Sequence, residues 1–199
     1  QFSLNEIIAA IESISPAPGR MQAYQKDDSA AAIVDFAHTP DALKNVLATL
    51  SRQIKKQSSG GQSKQGKLAL VFGCGGNRDK EKRALMTMVA QELADVIYLT
   101  ADNPRHENLA TIITDMQLGL NSTSPTPVRI ELDREQAINK ALTELSVDDV
   151  LLIAGKGHEV YQDVAGVKIP YSDEAVLLAL GYQDSSSLEG NNNNKEVLK

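Results

Sequence analysis

Short apolar runs alternate along the chain with longer segments in which apolar residues recur every three or four positions. The runs predict β-strands at 30–37, 68–72, 95–100, 128–132 and 149–154, since each segment is brief and bounded by polar or turn residues. The segments between the runs predict amphipathic helices at about 40–54, 79–93, 108–118 and 134–145. Alternation of this kind is typical of right-handed βαβ units and a parallel sheet.

The later part of the chain adds a hairpin and a last helix. Residues 159–171 alternate around Ala165-Gly166, which predicts a hairpin, and 172–180 have helical spacing. In the helix at 79–93, the spacing predicts an apolar side made of Leu85, Met88, Val89 and Leu93. The predicted fold class is therefore α/β and Rossmann-like, with a mostly parallel sheet of about five to six strands, flanking helices and a late hairpin.

Turn-rich and polar segments divide the chain into three predicted parts. We interpret residues 1–15, a short helix followed by a Pro-containing breaker, as the trailing end of a preceding domain plus a linker. Residues 16–182 form the predicted domain, interrupted by a polar loop at 57–66. From residue 183 the composition turns to Ser, Gly and Asn, so we expect 183–199 to be a disordered tail. Because the sequence begins with Gln1, we expect it to be a fragment of a longer protein.

Composition and charge narrow the class of function. Hydrophobic residues make up 42% of the 199 residues, enough for a sizeable core, and the net charge of −6 disfavours nucleic-acid and membrane partners. No apolar stretch approaches the ~20 residues of a membrane span, and no signal peptide is present. The single cysteine, Cys74, fits a reducing, cytoplasmic compartment. The three histidines lie far apart and show no metal-ligand spacing, so we expect no metal site.

Polar residues follow four of the predicted strands, whose carboxyl ends should open on one edge of the sheet. The four segments are 35–41, the glycine loop and its polar continuation at 73–80, Asp-Asn-Pro-Arg at 102–105, and Gly-Lys-Gly-His-Glu at 155–159. The tetrapeptide at 102–105 offers an acid, a carboxamide, a stiff turn and a guanidinium, a set that suits a small zwitterion. An ordinary strand-to-helix turn also explains that tetrapeptide, but four polar segments on one edge favour a binding site.

Several residues at this edge allow a functional and a structural interpretation. Arg78 and Arg105 are each suited to fork a carboxylate, or to form a surface salt bridge. Glu159 is suited to receive a ligand ammonium, or merely to pair with Lys156. The glycine loop at 73–76 suits an oxyanion, yet it matches no established nucleotide pattern, and a tight structural turn explains it equally well.

Five motifs in a fixed order resemble the C-terminal domain of the Mur ligases, the ATP-dependent amide-forming enzymes of peptidoglycan synthesis. The motifs are Pro-Gly-Arg-Met at 18–21, Asp-Phe-Ala-His-Thr-Pro-Asp at 35–41, Phe-Gly-Cys-Gly-Gly-Asn-Arg-Asp-Lys at 72–80, Asp-Asn-Pro-Arg at 102–105 and Gly-Lys-Gly-His-Glu at 155–159. The resemblance covers about residues 16–182. It is greatest to the branch that adds meso-diaminopimelate to UDP-N-acetylmuramoyl-L-alanyl-D-glutamate, and it implies a bacterial cytoplasmic enzyme, which we expect to be a monomer.

The resemblance also implies roles for individual residues. It assigns to ATP, across a domain interface, Arg20, Asp35 and His38. It assigns to the diaminopimelate site Arg78, Asp102, Asn103, Pro104, Arg105, Gly155 and Glu159. Lysine-adding relatives usually lack arginine at the position of Arg105, so this residue favours diaminopimelate. The family's central domain binds ATP and Mg²⁺; ATP phosphorylates the D-glutamate side chain, and the acceptor amine attacks the acyl phosphate.

The chain departs from the family pattern in three places. Phe36 stands where the family often has tyrosine, and the polar loop at 57–66 resembles an insertion. No G-x-x-x-x-G-K-[ST] sequence occurs in the 199 residues, so we expect this chain alone to lack ligase activity. Two alternatives remain open: a ligase of the same superfamily with lysine or glutamate as acceptor, such as a folylpolyglutamate synthase, and a non-catalytic binding module.

Overall fold

The computed structural model describes residues 17–58 and 66–186, with the side chains of 56–58 outside the description. The predicted helix at 3–14, most of the polar loop at 57–66 and residues 187–199 of the predicted tail lie outside the described residues.

Strands form the centre of the described part of the molecule. They are β1 Gln22–Gln25, β2 Ala31–Asp35, β3 Leu68–Phe72, β4 Val96–Leu99, β5 Val128–Ile130, β6 Val150–Ala154, β7 Tyr161–Val164, β8 Val167–Pro170 and β9 Gln183–Asp184. One seven-stranded sheet has the order β5-β4-β3-β6-β2-β1-β9, and β7 pairs with β8 separately. The strands from β5 to β2 in this order are parallel, whereas β1 and β9 join antiparallel at one edge. The predicted mostly parallel α/β sheet is confirmed.

Helices cover both faces of the sheet. They are α1 Pro40–Ser58, α2 Glu81–Leu93, α3 Leu109–Gln117, α4 Arg134–Glu144 and α5 Asp173–Ala179. Apolar residues of α1, α2 and α3 share one core with Leu70 and Phe72, and those of α4 and α5 share the other with Ala69 and Val71. Alternate residues of a central strand thus enter opposite cores, which explains why the strands are continuous apolar runs. No helix in the described ranges is long and apolar enough to cross a membrane.

The buried side of α2 differs from the prediction. Leu85 and Met88 are 47% and 45% exposed, although Val89 and Leu93 do pack against the core. The buried residues of this helix are Arg83, Met86, Thr87 and Ala90. Two carboxylates and one backbone carbonyl accept hydrogen bonds from Arg83 in the interior, so a polar network decides which side of the helix faces inward.

The predicted hairpin and last helix are both present. β7 and β8 pair through a turn at Ala165 and Gly166, which both have positive φ. Helix α5 begins after Ser172, whose hydroxyl accepts a hydrogen bond from the N–H of Ala175. These elements follow directly from the local sequence pattern.

The antiparallel edge of the sheet was not predicted from the sequence. The predicted disordered tail begins too early, because β9 pairs with β1 and the Asp184 carboxylate accepts a hydrogen bond from Gln22. Strand β1, Gln-Ala-Tyr-Gln, contains one buried residue, Tyr24. A single buried position produces no period-two pattern, so this strand had no detectable signal.

The strand order creates a crevice at one end of the sheet. β3 and β6 lie side by side, but β3 leads through α2 to β4 on one side, whereas β6 leads through the hairpin and α5 to β9 at the opposite edge. A switch of this kind opens a ligand crevice at the carboxyl ends of the strands. All four polar segments predicted from the sequence lie at this end.

Candidate functional site

A pocket of about 280 Å³ opens at the carboxyl edge of the sheet. The predicted site residues that line it are His38, Arg78, Asp102, Asn103, Arg105, Gly155 and Glu159. The other lining residues are Phe36, Gly75 and Lys82, whereas the pocket lining does not include the predicted residues Arg20, Asp35 and Pro104. A larger hollow of about 530 Å³ lies beside β1 and β9, but one lysine and one aspartate are the only charged residues that line it. The pocket at the carboxyl edge is lined by residues from all four polar segments, and it is therefore the candidate site.

Asp102, Asn103, Lys156 and Glu159 form a bonded group that we call the inner cluster. The Lys156 ammonium is completely buried and lies 3.0 Å from Glu159 Oε2, 3.2 Å from Asn103 Oδ1 and 3.4 Å from Asp102 Oδ1. Asn103 Nδ2 donates to the same Glu159 oxygen at 2.8 Å. Glu159 therefore does pair with Lys156, as the structural interpretation required. That pairing uses one carboxylate oxygen, and Glu159 still lines the pocket.

Arg105 is fixed beside the inner cluster by its main chain. Its φ is 50°, its N–H donates to the Asp163 carbonyl at 2.8 Å, and its carbonyl accepts from the Ala165 N–H at 2.7 Å. The side-chain Nη1 donates to the Gly76 carbonyl at 2.9 Å. Within the described residues, Nε and Nη2 of Arg105 make no hydrogen bond, so two donors remain for a carboxylate.

The glycine loop at 73–76 packs against the segment that precedes Arg105. A Cβ atom on Gly76 would lie 1.9 Å from the Pro104 carbonyl oxygen, and one on Gly75 would lie 2.8 Å from Arg105 Nη1. The Gly76 N–H donates to the Asn103 carbonyl at 2.8 Å. These glycines therefore allow two backbone segments to approach closely, which favours the structural interpretation of the loop over an oxyanion cradle.

A buried arginine braces the same loop. Arg83 donates to Glu107 at 3.0 and 3.1 Å, to Asp115 at 2.8 Å and to the Gly75 carbonyl at 3.1 Å. Burial acts to lower the pKa of Arg83, but its hydrogen bonds with the two carboxylates raise it overall. Hydrogen bonds from Arg83 and from the Asn77 N–H lower the pKa of Glu107 to about 2. The loop is thus anchored by a charge pair that persists in all but acid solution.

A second buried arginine joins strand ends beneath the pocket. Arg134 and Asp173 are completely buried and form two parallel hydrogen bonds of 2.8 and 2.9 Å. Arg134 also donates to the carbonyls of Ala101 at 3.2 Å and Ala154 at 3.0 Å, which follow β4 and end β6. Burial acts to lower the pKa of Arg134, but the Asp173 carboxylate raises it overall. The pair therefore ties the two loops of the inner cluster to the start of α5.

A second group at this edge, which we call the outer cluster, is Arg20, Asp35, Phe36 and His38. The Asp35 carboxylate is buried and accepts hydrogen bonds from the N–H groups of Met21 at 2.9 Å and Ala37 at 2.7 Å. The exposed Arg20 guanidinium lies 5.4 Å from the centre of the Phe36 ring, and the His38 ring lies 4.7 Å from it. Asp35 therefore acts on the backbone next to Arg20, while Arg20 and His38 face solvent.

The remaining lining residues differ in how firmly they are held. Arg78 is exposed and makes no hydrogen bond or ion pair with any residue that the structure describes. Lys82 donates to the His38 carbonyl at 2.9 Å. His158 lies outside the pocket lining, with its ring 5.7 Å from that of Phe36, consistent with a structural role. Lys82 was missed because a lysine in the first turn of a helix is usually a solvated residue.

The charges of the pocket define the ligand that it suits. Three cationic side chains, Arg78, Lys82 and Arg105, line it together with the carboxylates of Asp102 and Glu159. Both signs within one small pocket suit a zwitterionic amino acid rather than a simple anion or cation. Among residues 17–58 and 66–186, no three His, Cys, Asp or Glu side chains are grouped so as to hold a metal ion.

Comparisons with known proteins identify relatives of this chain. The family model described as "Mur ligase, glutamate ligase domain" matches residues 19–157. A Chromobacterium violaceum protein named UDP-N-acetylmuramoyl-L-alanyl-D-glutamate--2,6-diaminopimelate ligase is 46% identical over 183 residues, 90% of this chain and 35% of that protein. A Neisseria meningitidis serogroup B protein of the same name is 44% identical over 176 residues, 88% of this chain and 33% of that protein.

Solved structures extend the comparison. A structure of a ligase with that same name has a TM-score of 0.71 and 38% identity, covering 89% of this chain and 34% of the other. A folylpolyglutamate synthase/dihydrofolate synthase has a TM-score of 0.58 over 91% of this chain at 22% identity, which shows a common fold alone. This chain spans about a third of the length of the curated relatives named above. With the family model matched over most of its residues and relatives above 40% identity, the chain belongs to the Mur ligase family.

Proposed function

We propose that this chain is the acceptor-binding, C-terminal part of a ligase that joins meso-diaminopimelate to UDP-N-acetylmuramoyl-L-alanyl-D-glutamate. Relatives at 46% and 44% identity are named for that reaction. The main support from the structure is the pocket of about 280 Å³ in which three cations and two carboxylates meet. Diaminopimelate has two ammonium and two carboxylate groups, so its charges match those of the lining in kind.

Arg105 is proposed to bind the carboxylate by which diaminopimelate differs from lysine. Its Nη1 is held by Gly76, while Nε and Nη2 can donate two parallel hydrogen bonds to a carboxylate. Lysine would leave these donors without a partner in a half-buried place, at a cost of about 1–3 kcal/mol. We therefore expect the pocket to prefer diaminopimelate to lysine by roughly 10². The exposed Arg78 supplies a second guanidinium for the other carboxylate.

Glu159 is proposed to receive an ammonium of the same ligand. Lys156 and Asn103 hold one of its oxygens, and the other makes no hydrogen bond within the described residues. In the proposed reaction the second amine of the ligand attacks an acyl phosphate on the D-glutamate side chain. A C–N bond forms, the C–O bond to phosphate breaks, and the amine loses a proton. The contribution of this chain is to orient the amino acid for that attack.

The outer cluster is proposed to contact ATP. The exposed Arg20 guanidinium lies against the Phe36 ring, as does the His38 ring, and its charge fits the negative charge of a phosphate chain. Asp35 is proposed to serve ATP indirectly, through the backbone at Met21 and Ala37. When bound, ATP supplies the phosphoryl group that activates the D-glutamate carboxyl. Mg²⁺ is proposed to bind mainly through the family's central domain.

The domain boundaries and setting are also proposals. We infer that residues 16–182, together with strand β9, form one acceptor-binding domain, and that residues 1–15 are the trailing end of a central ATP-binding domain. The whole protein is proposed to work as a monomer in the bacterial cytoplasm, where ATP is available.

Calorimetric titration of this chain with meso-diaminopimelate, L-lysine and L-glutamate tests the acceptor assignment. We expect diaminopimelate to bind at least about tenfold more tightly than either alternative. Arg129→Ala is a matched control, because Arg129 is a partly exposed arginine on β5 outside this pocket, and its loss should not change the affinity. Lysine binding as tight as that of diaminopimelate would exclude Arg105 as the selecting residue.

A further inference from the structure

Lys156 is a buried cation to which the proposed function assigns no role. It is completely buried and is absent from the pocket lining, yet each residue that its ammonium contacts does line the pocket. Burying an ammonium costs several kcal/mol unless carboxylates and hydrogen bonds compensate for the lost water. The positions of Asp102, Asn103 and Glu159 are therefore linked to that of Lys156.

Glu159 is restrained by this link through one of its carboxylate oxygens. Its Oε2 accepts from Lys156 at 3.0 Å and from Asn103 Nδ2 at 2.8 Å. Two donors on one oxygen, from different loops, select a single side-chain orientation. The Glu159 side chain is 27% exposed at the pocket, and its other oxygen is unbonded in the described part of the chain. That oxygen is left for an ammonium group of a ligand.

Asn103 extends the link to the parts of the site that hold Arg105. Its Oδ1 accepts from Lys156 at 3.2 Å and from the N–H of Asp163 in the hairpin at 2.9 Å. Its carbonyl accepts from the N–H of Gly76 at 2.8 Å. A displacement of Asn103 would therefore reach both the hairpin and the glycine loop, the two segments bonded to Arg105.

We infer that Lys156 is a positioning residue for the acceptor amino acid. It holds Glu159 in the orientation that receives the ligand ammonium, and it does so without contact with the ligand. Without this cation, the Asp102 and Glu159 carboxylates would repel each other, and Glu159 would turn towards solvent. The inference rests on the proposed function, because it requires an amino acid in the pocket.

A double-mutant cycle with Lys156→Met, Glu159→Gln and the double variant tests this role. The dissociation constant is measured by calorimetry on this chain, using whichever of meso-diaminopimelate, L-lysine and L-glutamate saturates the unmodified chain. We expect each single variant to weaken binding about tenfold or more, since each removes a charge-assisted contact. The double variant should lose far less affinity than the product of the two single losses, because Lys156 acts mainly by holding Glu159.

Two further measurements separate positioning from general stability. Thermal unfolding is followed for all variants, and the double variant, which loses the cation and one of its carboxylates together, should be more stable than Lys156→Met alone. In the full-length ligase that contains this chain, the KM for the acceptor should rise while the KM for ATP stays within about twofold. Lys140→Met, which removes an exposed lysine paired with Glu131, is the matched control and should change neither KM.

The outcomes distinguish this inference from the proposed function. A double variant whose loss equals the product of the two single losses would overturn it, since Lys156 would then act independently of Glu159. The inference would also be overturned if the fraction of Lys156→Met that cannot bind equals its unfolded fraction at the assay temperature, since lost stability would then explain the result. If L-lysine or L-glutamate is the amino acid that binds, the proposed acceptor is wrong and the cycle still decides the role of Lys156. Binding of none of the three overturns both.

Discussion

The inner and outer clusters share one edge of the sheet but are held in place differently. In the inner cluster, Lys156 is completely buried, and its partners Asn103 and Glu159 are also bonded to each other. In the outer cluster, Arg20 and His38 are exposed, and Arg20 lies against an aromatic ring instead of opposite a carboxylate. One cluster is a closed network, and the other is an open surface.

Because of this difference, the two clusters suit different kinds of ligand. A closed network of buried charges loses much when one partner is absent, so it can select a small ligand with little help. An exposed guanidinium on a ring keeps freedom to move, which suits a ligand that a second surface also holds. The proposed roles follow the same division, with an acceptor selected by this chain and ATP shared with another domain. Four predictions test this distinction between the two clusters.

Arg134→Met removes the support beneath the inner cluster and should have the largest effect. Because Asp173 would remain buried without its partner, we expect the free energy of unfolding to fall by about 3–5 kcal/mol. Urea denaturation measures this. The double variant Arg134→Met/Asp173→Leu should recover most of the loss, since an apolar pair leaves no buried charge. A single variant with less than about 1 kcal/mol of loss would show that the pair is not a structural anchor.

Arg105→Ala tests whether the closed side of the site selects the acceptor. We expect the affinity for diaminopimelate to fall by roughly 10² and its advantage over lysine to narrow, because the carboxylate loses its forked partner. Arg105→Lys should recover little, since an ammonium cannot form the fork. Calorimetry of both variants, with Arg129→Ala as the control, gives the answer. An alanine variant that keeps its full preference would leave Arg105 as a residue of the turn only.

Asp35→Ala tests whether the open side serves ATP. The change removes the acceptor of the Met21 and Ala37 N–H groups, so the turn that carries Arg20 should lose its position. In the full-length ligase we expect the KM for ATP to rise by about tenfold, on the scale of one lost charge-assisted hydrogen bond. Diaminopimelate binding to this chain should stay unchanged. An equal loss of diaminopimelate binding would instead place Asp35 in the inner network.

Replacing Glu107 should have the smallest effect, and that effect should depend on pH. Hydrogen bonds from Arg83 and the Asn77 N–H hold its pKa at about 2, below the value of about 4.3 of an unfolded chain. A lowered pKa means that Glu107 contributes stability above pH about 4.3 and loses that contribution as the pH falls towards 2. Thermal unfolding of the unmodified chain and of Glu107→Gln should therefore differ near neutral pH and converge in acid. A constant difference across this range would show that ionisation of Glu107 does not matter.

Much of the fold was predictable from local patterns. The central parallel strands are mostly apolar, and Ala165-Gly166 marks a hairpin turn that needs positive φ at both positions. The side of α2 that faces inward was not predictable. Two sides of this helix contain apolar residues, and the side that is buried also contains the charged residue Arg83. Strand β1 was not predictable either. Tyr24 is its single buried residue, and one buried position cannot show the alternation of buried and exposed residues that indicates a strand.

The location of the candidate site was predictable from the sequence, but the hydrogen bonds between its residues were not. The rule that ligands bind at the carboxyl ends of parallel strands identified the four segments, and the motifs they contain identified the family. No local rule indicated that Arg83 and Arg134 would be buried, because charged residues in the first turn of a helix are normally exposed. Lys82 was missed for the same reason.

Periodicity and motifs of adjacent residues were enough to predict the five parallel strands, the helices between them, the family and the polar residues at one edge. Which of those residues are bonded to one another, and which remain for a ligand, depends on contacts between distant segments in the folded chain. Glu159 has one oxygen held by Lys156 and Asn103, and Asp35 has both oxygens bonded to backbone N–H groups. The physical reason is that a charged group takes its partner from segments that are distant in the chain, and packing alone brings those segments within hydrogen-bonding distance.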